Sequence, residues 1–362
     1  MTSLPLPLSG VSGAADREAH ARFQLLVLAT LLAVAVAAFL VELMLGTVRI
    51  PAADVIRALV GGAADREIAD IVLRVRLPRG LTAAAAGSAL AVCGLVLQTL
   101  LRNPLAGPWV LGVVAGARFG VAVLILTVGA VAATISSRVS LGGSLSVAIA
   151  AAVGSTAVLA LMAAVARRVS TVTLLVLGFL FSFLVGGVTS VMLHFASEEQ
   201  FAIWESWNDG SFGGVTWSQL TVLLPVVLIG LVAANALAKP LDSLLIGERY
   251  ARTMGVAVSR VRWFAIALVA GLAGAPTAYC GTLTFVDIAV PHLARGLLRS
   301  ADHRVLIPGC ALLGAALALA ADVLSHLPGT NRVMHLNAIL SMIGAPVVIW
   351  VIYRRHATRV AE

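Results

Sequence analysis

Two ionisable residues, Asp287 and His292, lie in an apolar segment of this 362-residue chain. Ionisable side chains at membrane depth are functional candidates by default, because a charge is costly there. A proton relay could use the two residues together. The alternative is structural: His292 would bond to a backbone carbonyl that loses its helical donor at Pro291.

Motifs for binding ATP or for hydrolysis are missing from the sequence. The single lysine, Lys239, precedes a proline, and the phosphate-binding loop G-x-x-x-x-G-K-[ST] does not occur. H-E-x-x-H and G-x-S-x-G are missing as well, which argues against an enzyme. The remaining classes are a channel, a secondary transporter, and the membrane half of a pump whose ATPase is another chain.

The composition indicates a membrane protein. Hydrophobic residues make up 60% of the chain and charged residues 12%, with a mean hydropathy of +1.01, whereas soluble proteins carry about 25% charged residues. We attribute the net charge of +8 to loops on the cytoplasmic side and not to nucleic-acid binding. The three cysteines, Cys93, Cys280 and Cys310, lie in apolar segments and are interpreted as packing residues.

Apolar stretches of membrane-spanning length recur along the whole chain. They predict an all-α polytopic membrane domain at 23–355, with cytoplasmic tails at 1–22 and 356–362. The eighth span is short and is interrupted by Pro291. The ten predicted spans are 23–45, 81–101, 109–129, 144–166, 171–194, 218–238, 261–280, 284–298, 305–326 and 335–353.

Basic residues concentrate in the loops on the side of the two termini, which predicts that both termini are cytoplasmic. Arg74, Arg76 and Arg79 are the exception, because they cluster at the outer edge of the second span. They could pair with nearby acids, or they could meet an acidic external partner. Arg118 falls inside the third span.

The second span ends in a sequence that cannot continue as a helix. Gln98, Asn103, Pro104 and Leu105 are followed within ten residues by another proline and two glycines. Broken backbone at membrane depth must be buried in protein or line a water-filled cavity. A simple tight turn is the alternative. The pairs Cys93-Gly94 and Cys280-Gly281, each followed by a proline at the same distance, weakly suggest an inverted repeat.

The loop after the sixth span predicts a short amphipathic helix that ends at a glycine. Glu248, Ala251, Arg252 and Gly255 share one helical face. Such a helix could dock in a groove of another protein, or it could be an ordinary interfacial helix.

Together these motifs resemble the FecCD-type permeases, which are the membrane subunits of bacterial ABC importers for ferric siderophores, haem and cobalamin. The resemblance runs from about residue 25 to residue 355, with the motifs in the same order. It rests on 76–79, 94–98, 103–106, 111–112, 248–255, Phe285, Pro291, His292, Arg295, 302–304, Gly314, Asp322 and 344–346.

The resemblance implies the type II ABC importer architecture, with ten helices per subunit, in the bacterial cytoplasmic membrane. It implies a second permease subunit, identical or different, two ABC ATPase subunits, an external substrate-binding protein and contact with membrane lipid. The chain itself would bind no cofactor, because ATP and Mg²⁺ would be held by the ATPase. A ferric siderophore is the expected substrate.

The resemblance also assigns roles to individual residues. Arg76, Arg79 and the position of His326 would dock the binding protein. The segment from Gly247 through Glu248, Ala251 and Arg252 to Gly255 would couple to the ATPase. Gln98, Asn103, Pro104, Leu105, Asp287, Pro291 and His292 would mark helix breaks along the pathway.

The sequence departs from the family pattern in four places. The usual Asp before Pro108 is Gly107, and the usual Gly of the Phe-x-Gly segment is Asp287. His326 replaces an arginine, and residues 331–336 replace a Glu-Leu-Pro-x-Gly motif. These departures leave the substrate open and favour pairing with a different permease. The competing hypothesis is a proton-coupled secondary transporter that uses Asp287 and His292.

Overall fold

The structure is a computed structural model that describes residues 12–46, 48–62, 65–109, 111–132, 143–165, 168–169, 171–326 and 333–360. These ranges contain helices and connecting segments and no strand. The helices are α1 (Ser12–Met44), α2 (Ala52–Val60), α3 (Arg66–Asp70), α4 (Leu77–Leu100), α5 (Val113–Ala132), α6 (Gly143–Val165), α7 (Thr171–His194), α8 (Glu198–Asn208), α9 (Trp217–Ala236), α10 (Ala238–Ile246), α11 (Glu248–Thr253), α12 (Val258–Cys280), α13 (Val286–Leu298), α14 (His303–Ser325) and α15 (Leu336–Val360).

Ten of these helices correspond in order to the ten predicted spans, which confirms the predicted all-α polytopic fold. Within the described ranges, six continuous helical stretches are long and apolar enough to cross a membrane: those of α1, α4, α7, α9, α12 and α14. Helices α5, α6 and α15 contain shorter apolar stretches. The described part of the predicted N-terminal tail already belongs to α1, so that helix begins before residue 23.

Helix α4 lies at the centre of the bundle. In the most apolar stretch of this helix 83% of the residues are buried, whereas the corresponding stretches of α1 and α7 are 11% and 17% buried. It packs against α9, α12, α13 and α14, while α5 packs against α6, α7 and α8. The exposed faces of α1 and α7 are apolar, which suits contact with lipid or with another subunit.

Small residues allow the closest helix contacts. A Cβ built on Gly87 of α4 would overlap the carbonyl oxygen of Gly314 in α14, and the reverse holds for Gly314. Gly116 of α5 and Gly154 of α6 form a second reciprocal pair. Such contacts are typical of membrane helices, whose association depends on close packing.

Candidate functional sites

A buried group of charged side chains joins α1, α4 and α14 at the end of the bundle where α4 begins. Arg79 donates from Nε and Nη2 to the two carboxylate oxygens of Asp322, at 2.6 and 2.7 Å. Glu42 Oε1 lies 3.4 Å from Arg79 Nε. Asp322 is 2% exposed and Glu42 is 4% exposed. We call Glu42, Arg79, Asp322 and His326 the Arg79 cluster, and this end of the bundle the Arg79 end.

Arg76 lies beside this cluster, and its guanidinium also forms hydrogen bonds within the chain. Its side chain is buried, and it donates hydrogen bonds to the backbone carbonyls of Leu43, at 2.8 Å, and of Val48. Leu43 belongs to the last turn of α1, whose carbonyls have no partner within the helix. Arg76 therefore fastens the end of α1 to the start of α4.

These contacts bear on the predicted docking role of Arg76, Arg79 and His326. The acids that pair with Arg79 come from α1 and α14, not from the neighbouring loops. The Nδ1 of His326 contacts Arg79 Nη2, and because a guanidinium only donates, that Nδ1 accepts. The single chain thus holds all three side chains in internal contacts, and their docking role remains a prediction.

The exposed arginines at this end lie outside the cluster. Arg57 pairs with Asp54 at 3.2 Å, and Arg74 pairs with Asp70 at 2.9 Å. Arg49 and Arg66 are exposed as well. Pairs this exposed are weak, about 0–1 kcal/mol each, so all four side chains can rearrange toward a partner.

The predicted break after α4 is present and is tied to α13. Residues 101–109, 111 and 112 are not helical, and Arg102 adopts a positive φ of 46°. The N–H of Asn103 bonds to the carbonyl of Gln98, and the Asn103 side chain accepts from the N–H of Leu105 at 2.9 Å. The Gln98 side chain donates to the carbonyl of Ile288 at 3.4 Å and accepts from Arg295 at 2.7 Å. Gln98 thus connects the end of α4 to α13.

His292 also joins the broken segment to α13. Its Nε2 lies 2.8 Å from the carbonyl oxygen of Pro104 and must donate to it. A backbone carbonyl as the partner agrees with the structural interpretation, but the acceptor is not the one predicted. The carbonyl that Pro291 leaves without a helical donor is that of Asp287, and it lies against Gly94 of α4.

Pro291 does not interrupt its helix, which corrects the predicted break at this position. Helix α13 continues through it to Leu298. The irregular backbone lies earlier, at 281–285, between α12 and α13. Pro291 removes one hydrogen bond near the start of α13, and the close contact with Gly94 accommodates the freed carbonyl.

Asp287 and Gly107 contact each other across the two segments. The Asp287 carboxylate is buried in the first turn of α13 and accepts from the backbone N–H of Ile288. A Cβ built on Gly107 would overlap Asp287 Oδ2. A side chain at position 107 would therefore displace the Asp287 carboxylate from the place that it occupies.

Asn337 is a site residue that the sequence argument missed. From the start of α15 it donates to the carbonyl of Thr282 at 2.7 Å and accepts from the N–H of Thr284 at 3.2 Å. Asn337 thereby gives hydrogen-bond partners to backbone groups of the irregular segment before α13, and buried polar groups require such partners. Asparagine at the start of a predicted span is the only signal that the sequence carries for this role.

The opposite end of the bundle carries the predicted amphipathic helix. Helix α11 follows Gly247, whose φ is 148°, and it is closed by Gly255, whose φ is 81°. The N–H groups of Gly255 and Val256 bond to the carbonyls of Arg252 and Ala251, which is a Schellman closure. The predicted glycine-closed helix is confirmed. We call this end of the bundle the α11 end.

One face of α11 is anchored and the other is exposed. Ala251 is fully buried, and Glu248 bonds to Arg262 of α12 at 2.6 Å. Tyr250 and Met254 point away from the bundle, with 49% and 59% of their surfaces exposed. Glu248 therefore positions the helix, while Tyr250 and Met254 face outward together with the exposed Arg249 and Arg252.

The comparisons with known proteins agree with this architecture. Residues 31–354 match the FecCD transport family. The chain is 36% identical over 290 residues to the vitamin B12 import system permease protein BtuC of Vibrio cholerae, covering 79% of this chain and 83% of that one. It is 33% identical over 295 residues to the hemin transport system permease protein HmuU of Yersinia pestis, covering 80% and 85%.

A solved structure gives the same result. An ABC transporter of the metal-chelate type, in an inward-facing conformation, superposes with a TM-score of 0.78 at 26% identity, covering 91% of this chain and 99% of that one. Family, relatives and fold thus coincide over the region that contains the Arg79 cluster, the broken segment and α11. The chain belongs to the FecCD transport family and is a multi-pass membrane permease of the ABC importer class.

Proposed function

We propose that this chain forms the translocation pathway of an ATP-driven importer together with a second permease subunit. Two ABC ATPase subunits, which hold ATP and Mg²⁺, bind at the α11 end on the cytoplasmic side. An external substrate-binding protein docks at the Arg79 end. ATP binding and hydrolysis switch the pathway between two access states.

The exposed face of α11 is the observation that carries this proposal. A helix of six residues is too short to be stable alone, and here it is held by Glu248, Arg262 and the Gly255 closure. Tyr250 and Met254 project from it, with Leu245 and Ile246 exposed just before it. A rigidly held helix that presents these apolar side chains beside the exposed Arg249 and Arg252 suits a groove on a partner protein.

We propose that the substrate is a ferric siderophore. This compound belongs to the wider class of bulky metal chelates. Two relatives are named as permeases for vitamin B12 and for hemin, and both compounds belong to that class. Competition among a ferric siderophore, hemin and cyanocobalamin in an uptake assay would rank the three. Uptake of cyanocobalamin or hemin in preference to the siderophore would replace this part of the proposal.

The binding protein is proposed to meet exposed arginines and not the buried ones. Arg49, Arg57, Arg66 and Arg74 surround the Arg79 end and offer positive charge to an acidic surface. Exposed charges steer association, and such docking weakens as salt rises.

The ATPase contact is tested by a single charged substitution on α11. Met254→Glu should leave the permease folded and lower the amount of co-purified ATPase about tenfold or more, because a carboxylate buried in an apolar interface without a partner costs roughly 2 kcal/mol or more. Ile56→Glu is the matched control, since Ile56 is 58% exposed on α2 at the Arg79 end. Equal ATPase recovery from the two variants would contradict the proposal.

A further inference from the structure

A cavity of about 720 Å³ lies between α5, α7 and α8. Aromatic side chains form much of its wall, and hydroxyl groups of α7 face it as well. A volume of this size falls within the roughly 300–1,000 Å³ of small-molecule sites. The lining residues used below are Trp109, Arg118, Phe183, Ser190, His194 and Trp204.

Among the described residues that line this cavity, Arg118 is the one arginine or lysine. It is the sixth residue of α5, inside a predicted membrane span. Its Nε is buried and has no hydrogen-bond partner within the described part of the chain. An arginine at membrane depth is costly, so a partner for its charge is expected.

The nearby acid has another partner. Asp209 is the carboxylate whose charge acts on Arg118, and its Oδ2 lies 2.7 Å from Nδ1 of His335. The backbone of Arg118 is held separately, because its carbonyl accepts from the indole of Trp204 at 3.5 Å. The helix position is therefore fixed while the guanidinium remains available.

Space for a ligand lies beside the guanidinium. A Cβ built on Gly186 or Gly187, both of which line the cavity, would meet nothing within 4 Å. Trp109 and Phe183 both flank Phe179, with ring centroids 5.7 and 4.7 Å from it. A second cavity, of about 690 Å³, lies between α5, α6 and α7 and serves as an internal comparison, because the described residues that line it include no ionisable side chain.

We propose that the cavity around Arg118 binds the negatively charged part of the transported compound on its route through the permease. A guanidinium binds carboxylate and other oxyanion groups through two parallel hydrogen bonds. The aromatic wall suits the flat or apolar body of a chelate. This inference rests on the proposed function and narrows it, since the substrate class becomes an anionic metal chelate.

The test measures binding to the assembled importer in lipid nanodiscs, with the fluorescence of Trp109 and Trp204 as the readout. Two matched pairs of probes separate charge from shape. The first pair is hemin and its neutral dimethyl ester. The second pair is an anionic ferric tris-catecholate and a neutral ferric tris-hydroxamate. Wild type should prefer the anionic member of at least one pair.

Arg118→Gln should weaken binding of that anionic probe about tenfold or more, because a charge-assisted hydrogen bond is lost, and should leave the neutral probe unchanged. Arg118→Lys should retain part of the preference, and it stands in if the glutamine variant does not fold. Phe119→Leu, in the wall of the comparison cavity, should bind as wild type does.

Three results would overturn the inference. The first is wild type binding no anionic probe better than its neutral counterpart. The second is Arg118→Gln keeping the full preference. The third is loss of the permease pair in Arg118→Gln, because Arg118 would then pair with an acid of the second subunit. ATPase recovery and ATP-driven uptake are measured in parallel, so a failure of the proposed function is recognised separately.

Discussion

At the scale of single residues, Asp287 and Gly107 form one structural unit. The structure places the two positions in one space, since a Cβ on Gly107 would overlap the Asp287 carboxylate. We therefore expect changes at the two positions to be coupled. The carboxylate bonds to backbone at the start of α13, which makes it a positioning group for this half of the pathway.

A double-mutant cycle tests this coupling. Gly107→Asp should lose most uptake, because two carboxylates would compete for one buried space. Asp287→Gly alone should keep the fold with reduced uptake, and the two changes together should restore it. Asp287→Asn, a near-isostere, should also remain active. The measurement is uptake into proteoliposomes with ATP inside and no pH gradient.

The control within that cycle separates the two transport mechanisms. Uptake that requires a proton gradient and disappears in Asp287→Asn would support the secondary transporter. Additive effects of the two single changes, with no rescue in the double variant, would show that positions 107 and 287 act independently.

The Arg79 cluster shows where residue-level prediction from sequence fails. The motif 76–79 is evident in the sequence, but Asp322, the partner of Arg79, is 243 residues away. Composition and spacing cannot report which distant acid folds against an arginine. The available signal was the occurrence of single acids, Glu42 and Asp322, within otherwise apolar spans.

At the scale of helices, the close contact of α4 with α14 depends on Gly87 and Gly314. Each would place a Cβ into the other's backbone. The hydrogen bond from Ser88 to the carbonyl of Ala311, at 2.8 Å, holds the same crossing. The sequence alone could not identify the helix that packs on Gly87, because a small residue does not specify its partner.

Gly314→Val should therefore destabilise the permease by about 1–3 kcal/mol or more, because the added side chain forces α4 and α14 apart. Gly271→Val is the matched control, since a Cβ on that α12 glycine meets nothing within 4 Å. Thermal denaturation of the two purified variants in detergent measures the difference. Equal midpoints would show that the crossing tolerates added volume.

At the scale of the whole molecule, the structure separates the two ends of the bundle by chemistry. The Arg79 end buries its charged cluster and leaves Arg49, Arg57, Arg66 and Arg74 at the surface. The α11 end exposes the apolar side chains of Tyr250 and Met254. The order of the spans was predictable, because the length of each apolar stretch can be read directly from the sequence. The short helices α2, α3 and α8 were not predicted as elements, since they lie in loops with mixed composition.

The predicted orientation is tested by chemical labelling in intact cells. The three native cysteines are buried, so wild type should not react with a membrane-impermeant maleimide. Arg57→Cys, at the Arg79 end, should be labelled from outside, whereas Arg260→Cys, close to α11, should be labelled only after lysis. The reverse pattern would invert the topology and place the ATPase contact outside the cell, which would overturn the proposed function.

The contact between Gly107 and Asp287 bears on how relatives of this chain should be compared. Along the sequence the two positions are far apart and would be compared independently. In space they form one contact between the loop after α4 and the first turn of α13. A comparison that scores each position alone would miss that contact, so the two positions should be scored together.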